Sequence, residues 1–281
     1  MSARMRIVHT TGFSYSSPVT SSYNEARITP RSDGRQTVVV DHLDTSPAAR
    51  QYRYNDYWGT VVTTFDLHSP HERLEVTGTA VVETEDENRN AEALAADWAQ
   101  LRTESVIDEF DEMLGATGYS PFAPDLTDFA QRAAQGLSPA GAVEALVSRV
   151  HDEMTYQPGT TEVHSTAADA WRHRSGVCQD YAHITLAMVR SLGIPARYVS
   201  GYLHPRHGAG TGETVHGESH AWVEVWTGGW WGIDPTNDKL IDDHHISVGT
   251  GRDYADLPPI KGIYTGSGQS QLDVSVRITR L

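Results

Sequence analysis

The sequence predicts an α+β chain on three observations. Between Arg6 and about Glu85, β-forming residues alternate with polar ones in short runs parted by turn formers. Apolar residues then recur at three-and-four spacing as far as Leu192. From Ala196 the period returns to two. The chain therefore divides into an N-terminal antiparallel, sandwich-like β domain over residues 1–86 and a second region over 87–281. That second region holds a helical segment, a core at about 138–250 and a strand-bearing tail.

The first strands are predicted over Arg6 to Tyr15, Tyr23 to Ile28, Thr37 to Leu43, Gln51 to Tyr54, Val61 to Leu67 and Leu74 to Glu83. In the last of them Leu74, Val76, Ala80 and Val82 share one parity, and Glu75, Thr77 and Glu83 take the other, so one face is buried and one is wet. No catalytic constellation lies here, and the domain reads as an accessory that supports the core or presents substrate. Between Thr84 and Asn90 no residue is apolar, which places the boundary.

Helices follow. Leu94, Trp98 and Leu101 predict one over Ala91 to Leu101, and another is expected near Thr127 to Ala134. Ser138-Pro139 supplies an N-cap and a first-turn proline for a helix with Val143, Leu146, Val147, Val150 and Met154 on its buried side. Gly176 then breaks the chain before a helix whose buried face is Tyr181, Ile184, Met188 and Leu192, stopped by Gly193 and Pro195. Cys178 falls in its first turn, where free backbone N–H groups and the helix dipole favour a thiolate.

Strands are predicted at Ala196 to Leu203, Ser219 to Trp226 and Trp230 to Asp234, with a glycine- and histidine-rich loop over His204 to Glu218. The last two form a hairpin that brings His220 and Asp234 to the same end of the sheet. A loop centred on Gly228 sets Trp222 opposite Asp234 and puts both on the face of His220; a two-residue turn at Gly228-Gly229 would point His220 and Asp234 opposite ways. In the final strand Leu272, Val274, Val276 and Ile278 alternate with polar residues, which requires a sheet to join, either in the core or back in the N-terminal domain.

Composition excludes several classes. With 22 basic against 37 acidic residues the net charge is −15, which repels nucleic acid and anionic lipid. No stretch reaches the roughly 18 apolar residues of a spanning helix, and Met1 to Phe13 lacks the apolar core of a signal peptide, so a cytoplasmic location is expected. A single cysteine permits no internal disulfide and no thiolate-rich zinc site.

Cys178, His220 and Asp234 together make a chemical unit. An ordinary thiol, with a pKa of about 8.5, is only about 3% ionised at pH 7. A neighbouring imidazole takes its proton and later returns it to a leaving amine, and a carboxylate on the far ring nitrogen fixes the tautomer. Cys178 is the candidate nucleophile, His220 the base and acid, and Asp234 the orienting acid. Asp180, in the same first turn, reads as structural, since a second negative charge would oppose thiolate formation.

Four blocks carry a resemblance: Gly176 to His183, Leu192 to Tyr202, Ser219 to Val225 and Gly232 to Thr236. In this order they resemble the transglutaminase-like superfamily, papain-like in its catalytic logic, and in particular a bacterial branch with an N-terminal β domain whose members are described as cysteine proteases. The resemblance implies a nucleophile helix packed on an antiparallel sheet. It also implies acyl transfer through a thioester at Cys178, opening a peptide or carboxamide bond, with peptide or protein as substrate. Hydrolysis is the expected outcome; transfer to an amine, as in a true protein-glutamine transglutaminase, and a non-catalytic peptide-binding module are the alternatives. Papain-like chemistry needs a second oxyanion donor besides the Cys178 N–H, for which Tyr156 is the candidate. Trp222 and Gln179 are candidates for the substrate groove, with Trp230 and Trp231 as further tryptophans that could wall it; the alternatives are sheet core for the tryptophans and plain helix surface for Gln179. No metal or cofactor is expected, although His204, His207, His216, His220, His244 and His245 would suffice for zinc by number alone.

Overall fold

The computed structural model describes residues 2–86, 89–205 and 210–281; Glu87 and Asn88, within the expected boundary, and His207 lie outside them. The N-terminal strands are β1 (Ser2–Val19), β2 (Ser21–Ala26), β3 (Gln36–Ser46), β4 (Gln51–Asn55), β5 (Val61–Leu67) and β6 (His71–Glu85). They form two antiparallel layers that share a cluster containing Ile28, Leu43, Phe65, Leu67, Leu74 and Val76. The alternation of apolar and polar residues had predicted this arrangement, because period-two burial leaves each layer one apolar face.

The middle of the chain is helical: α1 (Glu104–Leu114), α2 (Pro124–Ala133), α3 (Pro139–Glu153), α4 (Ala167–His173) and α5 (Cys178–Ser191). The helix expected over Ala91 to Leu101 is instead a series of turns ending in a short 3-10 segment at Gln100–Arg102. Its backbone is committed elsewhere. Ala96 N–H donates to Thr227 O at 2.8 Å, Ala93 O accepts from the Thr227 hydroxyl at 2.6 Å, and Ala93 N–H is held by the Asn90 side chain at 2.9 Å. Gly228, at φ +118°, lies against this segment so closely that a Cβ would sit 2.4 Å from Glu92 O.

α5 is buried on every side rather than along one face, because the other helices cover what the sheet does not. Arg190 lies inside this core with its guanidinium on the carbonyls of Ala196 and Arg252. Burial lowers its pKa to about 10. Ser138 caps α3 as expected, accepting from Gly141 N–H.

The remaining strands are β7 (Thr155–Tyr156), β8 (Ser175–Gly176), β9 (Ala196–Leu203), β10 (Thr214–Trp226), β11 (Trp230–Asp234), β12 (Lys239–Leu240), β13 (His245–Gly251), β14 (Ile260–Thr265) and β15 (Ser270–Arg280). β10 begins at Thr214, inside the segment expected to be loop, because residues 214–217 pair with 276–279 of β15 before the strand turns to β9. β15 also pairs with β1 from Met5–Arg280 to Tyr15–Ser270. The last strand thus does both things the alternation allowed: it joins the core through β10 and the N-terminal layer through β1. One continuous sheet runs from β3 through β6, β1 and β15 to β10, where β9 branches off and carries β13 on its far edge.

Candidate functional site

The turn that carries Cys178 is built around a carboxylate. Asp180 accepts from the Val177 backbone N–H at 2.8 Å and from the Thr161 hydroxyl at 2.7 Å, closing the entry to α5. The same carboxylate dictates glycine at 176, since a Cβ there would lie 2.5 Å from Asp180 Oδ2. Burial raises the Asp180 pKa, against the pull of these two donors.

Cys178 is half-buried at the first position of α5. The β10–β11 hairpin has Val223 opposite Ile233 and Trp226 opposite Trp230, the register centred on Gly228. That register delivers His220 to Asp234: Nε2 lies 2.8 Å from Oδ2. Nδ1 is then the ring nitrogen left for the sulfur of Cys178, which lines the same cavity and acts on the imidazole. Burial opposes protonation of His220, but the Asp234 carboxylate and then Cys178 outweigh it and push the imidazole up to about 10. Asp234 is fully buried. Its Oδ1 accepts from the backbone N–H groups of Thr236 at 2.9 Å and Asn237 at 3.2 Å; its Oδ2 also accepts from Asn237 Nδ2 at 2.6 Å. Burial works against its charge, yet His220 and then His245 hold the carboxyl well below its usual range.

A cavity of about 330 Å³ opens on Cys178 and His220. Val177, Gln179, Tyr198 and Tyr254 of the core line it together with Phe13, Leu272 and Val274 of the β1–β15 pair. A sulfur, an imidazole and a carboxylate in sequence beside an open cavity can pass one proton between nucleophile and leaving group.

Residues 127–235 match the transglutaminase-like superfamily, and residues 5–83 match the bacterial transglutaminase-like N-terminal region. The chain belongs to the transglutaminase-like superfamily. An uncharacterized protein of Mycobacterium leprae is 53% identical over 278 residues, 99% of each chain. A protein-glutamine gamma-glutamyltransferase of Pseudomonas aeruginosa is 34% identical over 152 residues, 50% of this chain and 22% of that protein. The solved structure of a Cytophaga hutchinsonii protein described as a putative cysteine protease superposes with a TM-score of 0.79 at 21% identity, covering 100% of this chain and 91% of that one, and shares the fold.

Within this transglutaminase-like chain the groove is not walled as expected. Trp222 is fully buried, clustered with Val199 and Ile241 and edge-on to His245 at 5.3 Å, so it is core and not groove. It sits on the inner strand β10, covered from both sides, and Trp231 is equally buried. Trp230 lies away from the cavity. Gln179 does line the cavity, with its amide on Val163 O at 3.1 Å. Tyr156 pairs with Gly176, two residues before Cys178, but the residue is 46% exposed, its ring lies 6.5 Å from that of Tyr181, and it is not among the described residues lining the cavity.

The histidines do not form one set. His220 and His245 both meet Asp234; His204 and His244 lie 5.4 Å apart elsewhere; His216 is exposed on β10; His207 is outside the described residues. Among described residues, His220, Asp234 and His245 could hold a metal ion, as could Asp242, Asp243 and His244. In the first group an ion would have to displace both imidazole hydrogen bonds to Asp234.

Three residues were missed by sequence reasoning. His245 Nε2 lies 3.2 Å from Asp234 Oδ2, and its Nδ1 is 2.8 Å from Asp242 Oδ1. His183, in mid-helix, is stacked between Tyr119 and Tyr198 and accepts from Tyr254 N–H at 3.2 Å. That bond fixes Tyr254 at the cavity wall. The adjacent Asp253 caps the following turn through Ala255 N–H, while Arg252 pairs with Asp256. The only sequence signal for His245 was its count among possible zinc ligands.

Proposed function

We propose that the chain is a cysteine-dependent acyltransferase acting on a peptide or carboxamide bond, with water as the usual acceptor. The observation that supports this most is the contact series Cys178, His220, Asp234 at one end of a cavity. The Cys178 thiolate attacks the carbonyl carbon, and the developing oxyanion is met by the Cys178 N–H, one of the helix donors without an intrahelical acceptor. Tyr156 is the proposed second donor, which requires its side chain to turn toward the cavity on substrate binding. Protonated His220 gives its proton to the leaving amine as the C–N bond breaks. In the thioester, neutral His220 takes a proton from water, the new C–O bond forms, and the C–S bond breaks to return the thiolate. Asp234 holds the ring and its charge throughout.

Gln179 is the proposed polar contact at the groove rim. The single cysteine supports a reducing, cytoplasmic setting, and no described helix is long and apolar enough to cross a membrane. No metal or cofactor enters this scheme.

Transfer to an amine is the second reading, favoured by the 34% match to a protein named as a protein-glutamine gamma-glutamyltransferase. A peptide library incubated with and without a primary amine separates the two: new carboxylates mean hydrolysis, and amine incorporation means transfer. A peptide-binding module without catalysis is the outcome if neither appears and iodoacetamide alkylates Cys178 only as an ordinary thiol titrating near 8.5. Cys178→Ala should abolish turnover, and turnover surviving it would refute a thioester.

A further inference from the structure

The face of β15 that carries Val276 and Ile278 into the core carries Leu272 and Val274 out of it. Val276 and Ile278 are 5% and 0% exposed, whereas Leu272 and Val274 are 57% and 47% exposed. All four share one parity, so the apolar stripe does not end where the core ends. It runs on into the cavity that holds Cys178. Across the ladder Phe13 opposes Leu272 and Thr11 opposes Val274, so β1 widens the stripe. Isolated exposed apolar side chains mean little. Here they are contiguous and adjoin a nucleophile.

Away from Cys178 and His220, no charged side chain joins this wall. Among the described residues lining the cavity there is no Asp, Glu, Lys or Arg. His9, at its base, is held neutral: burial lowers its pKa to about 4. The single O–H of Tyr202 goes to Ile28 O at 2.7 Å, so His9 Nδ1 donates to Tyr202 at 2.9 Å and its Nε2 accepts from Thr11. A charged group seated against Phe13, Leu272 and Val274 gives up part of its hydration and finds no partner among them. An apolar one gains by leaving water. The volume, about 330 Å³, lies at the lower end of ligand pockets, enough for a side chain and not for a folded domain.

We propose that the β1–β15 pair, where the last strand joins the N-terminal β domain, supplies the acyl-side specificity of the site: Phe13, Leu272 and Val274 seat an uncharged, leucine- or phenylalanine-like side chain next to the carbonyl that Cys178 attacks. This rests on the acyl-transfer reading and adds the substrate class.

Acetyl-leucyl, acetyl-phenylalanyl, acetyl-lysyl and acetyl-aspartyl chloromethyl ketones test it. Each alkylates the sulfur at its methylene carbon with loss of chloride, and mass spectrometry confirms Cys178 as the site. Every rate is divided by that of iodoacetamide, which is too small to reach Leu272. The leucyl and phenylalanyl probes should react about tenfold faster or more than the lysyl and aspartyl ones, and Leu272→Ser with Val274→Thr should erase most of that ratio. Both side chains are exposed, so the fold should tolerate the change, and circular dichroism checks it. Equal ratios for all four probes overturn the proposal, as does a preference that survives the double substitution. The acyl-transfer reading fails separately, on iodoacetamide titrating Cys178 as an ordinary thiol, and the probe ranking is still read in that case because each probe carries its own leaving group.

Discussion

His245 Nε2 lies 3.2 Å from Oδ2 of Asp234, the same oxygen that His220 meets at 2.8 Å from the other side. One carboxylate oxygen thus orients two imidazoles, and Asp242 holds the outer one at 2.8 Å. Deleting the outer ring leaves Asp234 buried with one donor fewer. A hydrogen bond to a charged group contributes about 1.5–3 kcal/mol. His245→Ala should therefore slow acyl transfer about tenfold to a hundredfold, with kcat falling more than KM rises. Stopped assays across pH check this: a positioning role shifts the pH profile, and His245→Gln, which keeps a donor, recovers part of the rate. An unchanged profile in His245→Ala would remove the ring from the mechanism.

His220 gives a stability signature with a fixed sign. Its pKa in the fold is raised to about 10, chiefly because the pull of Asp234 exceeds the cost of burial. A raised pKa stabilises the fold fully below the unfolded value of about 6.5, and the contribution is lost as pH rises through the folded one. The stability gap between the chain and His220→Gln should thus be widest near pH 6 and shrink toward pH 10. Urea titrations at four or five pH values measure it. A gap that grows with pH would mean that His220 is neutral in the fold.

Much of this site was legible because it is local. A glycine and a helical period put Cys178 in a first turn, and one hairpin left His220 and Asp234 two registers, of which the structure adopts the one centred on Gly228; each depends on residues close by in the chain. What the sequence hid depends on distant partners. Thr214 to Gly217 became strand because β15 lies alongside, some sixty residues on. The run Ala91 to Leu101 lost its helix to hydrogen bonds with Thr227. Trp222 read as a groove wall because parity shows which face a side chain takes, not what covers that face. Residues 249–260, with Tyr254 and Ile260 at the cavity, carry no periodic signal at all.

Gly176 and Asp180 form a lock on the nucleophile turn. Gly176→Ala forces a methyl to within 2.5 Å of the Asp180 carboxylate, so the turn must open. Asp180→Ala strands the Val177 N–H and the Thr161 hydroxyl that it accepts. Each should cost about 1–3 kcal/mol of stability, and the loss should be less than additive in the double variant, because the contact at 2.5 Å goes with the carboxylate and only that to the Cβ of residue 180, at 2.8 Å, remains. A double-mutant cycle in urea checks this, and strict additivity would show that the two residues do not touch.

His183 predicts how the chain fails in acid. Its ring is fully buried between Tyr119 and Tyr198, and burial first, then Arg190, lowers its pKa to about 3. In the unfolded chain the same imidazole titrates near 6.5, so below that pH the unfolded state binds a proton that the folded state refuses. A lowered pKa of this kind stabilises the fold above the unfolded value and ceases to do so as pH falls, at up to about 1.4 kcal/mol per pH unit between 6.5 and 3. His183→Gln keeps an acceptor for Tyr254 N–H but cannot titrate. It should be the less stable protein at pH 8, where it gives up the stacked ring, and should lose about one proton's worth of slope between pH 6 and 4. Because Tyr254 lines the cavity, the same variant should also alter KM at neutral pH. Unfolding curves at pH 8, 6, 5 and 4 decide it: parallel slopes for the two proteins would mean that His183 is already protonated in the fold, and the stacking account would fall with it.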